Sequence, residues 1–460
     1  LASHSAIFPP REVSMNFLVI GGDAAGMSAA SRAKRHRPDL NVTVLEKTAD
    51  VSYSACGMPY NIADPQRSIE DLVVRRAEVF RDKQGIDLLT GIEATAIDPD
   101  ARTVATRSSD DTERTFPYER LLIATGATPI KPDIPGIDLP GVMVLKSLAH
   151  GRALKGFIDR QAVKKTVIIG MGYIALEMCE ALRERGIAVE MIKPRPTFLP
   201  WMETGMAEAV KTELESQGVA VHLGHPVERI QEADGRLAVI APDLSLEADL
   251  VLVAVGVRPA SRLAADAGLE TSVSRAVAVD ARQRTSDKNI YAAGDCADAF
   301  HVVTGKRTWI PLALRANRAG WAVADNVCGI DRRLTGVVGS AVFKVFDLQV
   351  ARTGLNMAEA LEAGFEAESV TIKSRSRAHA HPGSSTIHVH MVGEHGSGRL
   401  LGVQMIGRDG VAHRLHAPAV ALHAHMSVEQ FSLTDLGYAP PFGPTWDPML
   451  TAANQLLKKL

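Results

Sequence analysis

The chain is poor in cysteine, with four residues in 460: Cys56, Cys179, Cys296 and Cys328. Their scattered spacing excludes a disulfide framework and points to a reducing cytoplasm. No two of them form a CxxC pair, so a dithiol redox motif is absent. No apolar run approaches the ~18 residues of a membrane-spanning helix, and no membrane is expected as a partner. A formal net charge of -2 leaves no excess of either sign, so nucleic acid is not expected either. Residues 1–14 (LASHSAIFPPREVS) lack the charged-then-apolar pattern of a secretory signal and read as a tag or leader, with Met15 as the native start. What remains is a chain 46% hydrophobic, globular in composition and long enough for roughly three domains.

The stretch Ser52-Tyr53-Ser54-Ala55-Cys56-Gly57-Met58-Pro59-Tyr60 puts a lone cysteine just ahead of Pro59, a residue favoured at the start of a helix. A thiol at a helix N-terminus feels the positive end of the backbone dipole, which lowers its pKa and favours the reactive thiolate. An isolated cysteine is more often a small buried hydrophobe. The motifs around Cys56 decide for the reactive reading.

The first of these is the strand Asn16–Ile20, which runs into Gly21-Gly22-Asp23-Ala24-Ala25-Gly26 and then a helix reaching about Arg37. Glycines at a strand–turn–helix junction let the backbone approach a pyrophosphate seated at the helix N-terminus. Asp23 stands where the second glycine of GxGxxG is expected. The next strand, Asn41–Leu45, ends in Glu46, where an acid would bind ribose hydroxyls. The helix carries Arg32, Lys34, Arg35 and Arg37, either a solvated face or a docking site for an anionic substrate.

A second turn, Gly170-Met171-Gly172-Tyr173-Ile174-Ala175, follows the apolar strand Thr166–Ile169 and opens the helix Leu176–Arg185. Two such turns in one chain point to two dinucleotides. Here the following strand, Ala188–Ile192, ends in Lys193-Pro194-Arg195, and positive charge suits a 2′-phosphate where an acid would suit a free hydroxyl. An exposed basic loop is the other reading. Two further buried strands end in small residues, at Arg120–Pro129 (RLLIATGATP) and Asn289–Asp298 (NIYAAGDCAD). The second fits a carboxylate aimed at a polyol chain.

Taken in order, GGDAAG, SYSACGMPY, LLIATGATP, GMGYIALE, NIYAAGDCAD and YAPPF resemble the single-cysteine branch of the FAD-dependent pyridine nucleotide–disulfide oxidoreductases. That branch holds coenzyme A-disulfide reductases, persulfide reductases and NADH oxidases or peroxidases. The resemblance implies an α/β fold of two Rossmann-like nucleotide-binding domains and a C-terminal α+β dimerisation domain, with no rhodanese domain appended. The implied segments are 15–148 and 267–337 for FAD, 149–266 for NAD(P)H and 338–460 for dimerisation.

It also implies FAD ligands at Gly21, Gly22, Ala24, Gly26, Glu46, Lys47, Thr125, Gly126, Leu312 and Ala313, with Asp295 on the ribityl chain. NADPH, with NADH as the other donor, would meet Gly170, Gly172, Tyr173, Ile174, Lys193, Arg195 and Gly256, while Glu177 would lie close to the flavin. The protein carries no metal in this reading, although the C-terminal domain is rich in histidine, with His388 and His390 on one face of a strand. The expected partners are a second copy of the chain and a small thiol, disulfide or persulfide, coenzyme A among them.

The resemblance assigns the catalytic roles to Cys56, Glu177 and Tyr438, the last reaching the cysteine of the other subunit. Hydride from the nicotinamide would pass through flavin to Cys56, whose oxidised form is a mixed disulfide, a persulfide or a sulfenic acid. Oxidases and peroxidases of the branch carry a histidine at the position of Ala24, and its absence favours a disulfide or persulfide reductase over an NAD(P)H oxidase or peroxidase. The sequence departs from the reductases twice: Ala55 replaces an asparagine, and His379-Ala380-His381-Pro382-Gly383 lacks a second tyrosine.

Overall fold

A computed structural model describes residues 15–460, and the expected tag or leader at 1–14 lies outside the described residues. The strand Asn16–Ile20 (NFLVI) is buried on nearly every residue. That uniform burial is the signature of a parallel strand covered by helices on both faces. Its sheet is wholly parallel, in the order Ile290–Ala292, Arg120–Ile123, Asn16–Ile20, Asn41–Glu46, Asp87–Thr90. The chain reaches Ile290–Ala292 only after building a second sheet, so the first unit is discontinuous.

The second sheet repeats the plan: Ala220–Leu223, Ala188–Lys193, Lys165–Ile169, Leu250–Val253, Val142–Val144, all parallel. A boundary at 148/149 is therefore too late, because Val142–Val144 pairs with Leu250–Val253 at the edge of the second sheet. A three-residue edge strand is too short to declare itself by periodicity. The two units are tied by Ala127–Pro129, which pairs antiparallel with Val257–Pro259.

The C-terminal part is an antiparallel five-stranded sheet, Ala341–Val345, Leu348–Gly354, Leu400–Gly407, Thr386–Glu394, Ala367–Arg375. Helices including His416–His423 and Pro448–Leu456 pack on it. One apolar cluster spans all three units. It joins Met58 and Ile62 beside the cysteine to Leu148, Leu176 and Phe343, from the second nucleotide unit and the C-terminal sheet. The cysteine segment is thus braced by both later units. Among the described residues no helix is long and apolar enough to cross a membrane.

Candidate active site

The first glycine turn is dictated by crowding. Gly21 has φ +107°, and a Cβ there would stand 2.2 Å from the Ala124 carbonyl oxygen. One on Gly26 would stand 1.9 Å from the oxygen of Gly21. Asp23, by contrast, is the N-cap of the helix Ala24–His36 at φ -109°. That conformation suits any L-residue, so GxGxxG can lose its middle glycine here without strain. The bare floor of the turn and the unpaired N–H groups of the first helical turn fit the pyrophosphate of FAD. Glu46 accepts from the Gly22 N–H at 2.7 Å and from the Thr48 N–H at 2.8 Å. Its carboxylate therefore braces the turn from the end of the second strand, while Lys47 beside it is exposed.

Across the sheet, Gly294-Asp295 follows Ile290–Ala292, and Lys146 donates to the Asp295 carboxylate at 3.3 Å. Arg315, buried in the helix Ala313–Val327 that Leu312 caps, donates to the carbonyls of Gly294 at 3.1 Å and Ala297 at 2.9 Å. It thereby sets the position of Asp295. Thr125 is otherwise engaged: its hydroxyl donates to the Ala260 carbonyl at 2.6 Å, locking the crossover between the units, and the Ala260 N–H donates to Gly126.

Cys56 lies in the short 3-10 turn Ala55–Gly57, exposed, immediately before the helix Met58–Ala63. Ser52, at φ +48°, donates from its N–H to the Gly22 carbonyl at 3.2 Å, which ties this segment to the first glycine turn. The expected low thiol pKa is not what the structure gives. Although the residue is exposed overall, partial desolvation of its sulfur pushes the thiol up, the Glu177 carboxylate adds to that, and Lys146 opposes it, with Asp295 and Asp23 also on the raising side. A six-residue helix has a short dipole, and desolvation together with three carboxylates outweighs it.

Glu177 comes from the helix Tyr173–Glu184, which opens at the second glycine turn. Its carboxyl is raised above the ordinary range by burial, and it accepts from the Tyr60 hydroxyl at 2.9 Å. In that turn Gly170 has φ +118°, and a Cβ there would stand 2.3 Å from the Ala254 oxygen. Gly172 caps the helix at a negative φ with open space around it. Ile174 follows on the first helical turn, and Gly256, at φ +115°, leads from the strand Leu250–Val253 into the crossover. Tyr173 packs against Phe343 at 4.9 Å and Trp201 at 5.7 Å between ring centroids. Lys193 ends its strand with its ammonium on the Thr197 carbonyl at 2.9 Å, and Arg195 follows on an exposed loop.

The other expectations fall away from this centre. Much of the basic helix face is engaged by its own chain: Arg32 pairs with the buried Asp325, Lys34 donates to the carbonyls of Pro38 and Leu40, and Arg37 pairs with Asp39, while Arg35 is exposed. This favours the solvated-face reading over a docking site. Tyr438 is half exposed, in a segment with Leu433, Phe442 and Trp446 also exposed. Its hydroxyl makes no hydrogen bond among the described residues, and nothing in a single chain brings it to Cys56. His390 is buried and bonded to Thr371 at 2.9 Å, and among the described residues no group of three or more His, Cys, Asp or Glu side chains could hold a metal.

Sequence reasoning missed Lys146, Arg315, Tyr60 and Lys155. The Lys155 ammonium is buried and donates to the Asn61 side chain and to the carbonyls of Asn61, Asp64 and Arg67, closing the end of the cysteine helix. A lysine seven residues after Leu148, on the apolar face of its helix, is the signal that could have found it.

A family model for pyridine nucleotide-disulphide oxidoreductases matches residues 15–320, and the model for their dimerisation domain matches 340–449. The chain is 36% identical to the CoA-dependent NAD(P)H sulfur oxidoreductase of Pyrococcus abyssi, over 97% of this chain and 99% of that one. It is 33% identical to the NADH oxidase of Methanocaldococcus jannaschii, over 97% and 99%. The structure of a NAD-dependent persulfide reductase from A. fulgidus superposes with a TM-score of 0.93 at 37% identity, covering 97% of this chain and 83% of that one. With both models matched along nearly its whole described length, the chain belongs to the pyridine nucleotide-disulphide oxidoreductase family, whose members depend on FAD and NAD(P)H.

Proposed function

We propose that the protein is a FAD-dependent NAD(P)H reductase of a small disulfide or persulfide, of the coenzyme A-disulfide reductase kind, with Cys56 as its one redox thiol. The observation that carries this reading is convergence. Cys56 is exposed at a point where Glu177 and Lys146 of the second nucleotide unit and Asp295 of the first, itself paired with Lys146, all act on its thiol. FAD, when bound, supplies the relay of two electrons from NAD(P)H to this sulfur.

The Cys56 thiolate attacks one sulfur of the substrate disulfide, the S–S bond breaks, and one thiol leaves with a proton. Two electrons then cleave the mixed disulfide, restoring the thiolate and releasing the second thiol. Lys146 is the cation that favours the thiolate within the chain. The protein acts as a homodimer in which Tyr438 of the partner subunit stands beside Cys56 and gives the proton to the departing thiolate. Its exposure within an exposed apolar segment of the dimerisation domain supports that placement.

Cys56→Ser tests the reading. Disulfide turnover should fall about a thousandfold or more while NADPH still reduces the flavin at the original rate. Unchanged turnover would sink it. Tyr438→Phe should slow disulfide reduction about a hundredfold and spare flavin reduction. If neither rate moves, the tyrosine only packs at the interface, and the acid is sought at His379 or His381.

The second reading is an NAD(P)H oxidase or peroxidase working through a Cys56 sulfenic acid, and the likeness to the M. jannaschii NADH oxidase favours it. Ala24, the half-buried first residue of its helix, stands where the resemblance puts the histidine of such enzymes. Turnover with oxygen or peroxide above that with a coenzyme A disulfide or a persulfide would select this second reading.

A further inference from the structure

The Tyr60 hydroxyl is spent on a carboxylate from a different unit. It donates to Glu177 Oε1 at 2.9 Å, bridging 117 residues of sequence. Tyr60 stands four residues after Cys56, one turn further along the same short helical segment. Residues at this spacing share a face, so a group held by Tyr60 is held beside the cysteine. Pro59 and Met58 fix the segment by burial, whereas Cys56 and Tyr60 both face outward. Glu177 itself stands one helical turn after Tyr173, on the helix that begins at the nicotinamide glycine turn.

From this geometry we infer that Tyr60 is a positioning residue: it holds the Glu177 carboxylate ionised beside Cys56 and thereby restrains formation of the thiolate. The physical basis is simple. A hydrogen bond from a phenol favours the charged carboxylate over the neutral acid, and a fixed negative charge near a sulfur disfavours a second one. Burial pulls Glu177 the other way, as does Glu180 one turn on, so without the phenol Glu177 takes up a proton more readily. After desolvation, the Glu177 carboxylate is the strongest influence raising the thiol.

The other charges around the pair are accounted for. Lys146, Asp295 and Asp23 face the sulfur, while Lys344, 6.0 Å above the Tyr60 ring, pairs with Glu180. On the helix Leu148–Arg160 packed beneath, Arg152 is held by Asp50 and Glu70, and Asp159 by Arg185. Lys155 there is held by carbonyls, and burial keeps His150 towards its neutral form.

The inference rests on Cys56 as the redox thiol, but its test reads the thiol directly and does not depend on turnover. The rate of Cys56 alkylation by iodoacetamide would be followed against pH in the NADPH-reduced holoenzyme. Glu177→Gln should lower the midpoint by about one pH unit, a roughly tenfold faster reaction below it. Tyr60→Phe, which keeps the ring and its packing, should lower the midpoint by part of that amount. In the double variant the midpoint should equal that of Glu177→Gln alone, because the phenol acts only through the carboxylate. A Tyr60→Phe shift of the same size in both backgrounds would mean that the tyrosine merely packs and would overturn the inference. So would an upward shift, or no shift at all. Failure of disulfide turnover in Cys56→Ser enzyme is a separate outcome and bears only on the proposed function.

Discussion

The two nucleotide units share one plan and differ in charge. Each is a five-stranded parallel sheet with a glycine turn after its central strand and a helix starting at the third residue beyond the first glycine. At the N-cap the first unit has Asp23 and the second Gly172, both with negative φ. At the end of the next strand the first has Glu46, tied to its own turn, and the second has Lys193, tied to the next loop. We propose that the backbone makes both turns receptive to a pyrophosphate and that the side chains at these two positions decide what else is accepted. On that reading one fold holds two dinucleotides and tells them apart by charge.

The largest effect that separates the units comes from the crowded glycines. Gly26→Ala puts a Cβ 1.9 Å from the Gly21 oxygen, and Gly170→Ala puts one 2.3 Å from the Ala254 oxygen at a positive φ. Neither neighbour can yield, being backbone. The first variant should lose its flavin, seen as a colourless protein with a lowered melting temperature. The second should stay yellow and lose reduction by NADPH, measured as flavin bleaching in a stopped flow. A Gly170→Ala protein that bleaches normally would mean that the second turn is not where the nicotinamide cofactor docks.

The glycines were legible in the sequence because each answers to a local demand, a positive φ or a backbone contact at a strand–helix junction. The charges were not. Lys146 meets Asp295 from 149 residues away, and Tyr60 meets Glu177 from 117. Cys56 was placed correctly before a helix, yet its thiol answers to Glu177, Asp295 and Asp23, none of which its own neighbourhood announces. The basic stripe on the first helix left two readings open for the same reason, since Asp325, which holds Arg32, lies 293 residues on. Local pattern finds elements and turns, and long-range pairing sets the electrostatics of the site.

Asp23 offers the next, smaller contrast. Burial raises its carboxyl from 3.8 to about 6, against the pull of Lys146, and Gly172 puts no carboxyl at the matching place in the second unit. Because the folded pKa is the higher one, ionising Asp23 costs more in the folded than in the unfolded chain. That penalty is absent below pH 4, grows as the pH rises to about 6 and is complete above it, at most about 3 kcal/mol. Asp23→Asn should remove it. Flavin-free protein carrying the change should melt a few degrees higher than the parent at pH 7.5 and no higher at pH 4. Equal gains at both pH values would place the effect elsewhere than in the charge.

The smallest expected effect tests the other difference, at the strand end. Lys193 is pushed below the ordinary lysine range by burial and by Arg195 beside it, a site short of negative charge. A 2′-phosphate would supply that charge, and a charge-assisted contact is worth roughly 1.5–3 kcal/mol, so NADPH should be preferred over NADH. The A. fulgidus persulfide reductase is NAD-dependent and the P. abyssi relative uses NAD(P)H, so the preference is argued from these two cations alone. Lys193→Glu gives the second unit the acid that the first has in Glu46. The ratio of kcat/KM for NADPH to that for NADH should then fall about tenfold, with Arg195 retaining part of the preference. Arg195→Ala, on the exposed loop, should move the ratio less. If the unmodified enzyme uses both donors equally, the basic strand end is only a loop, and the two units differ in their turns alone.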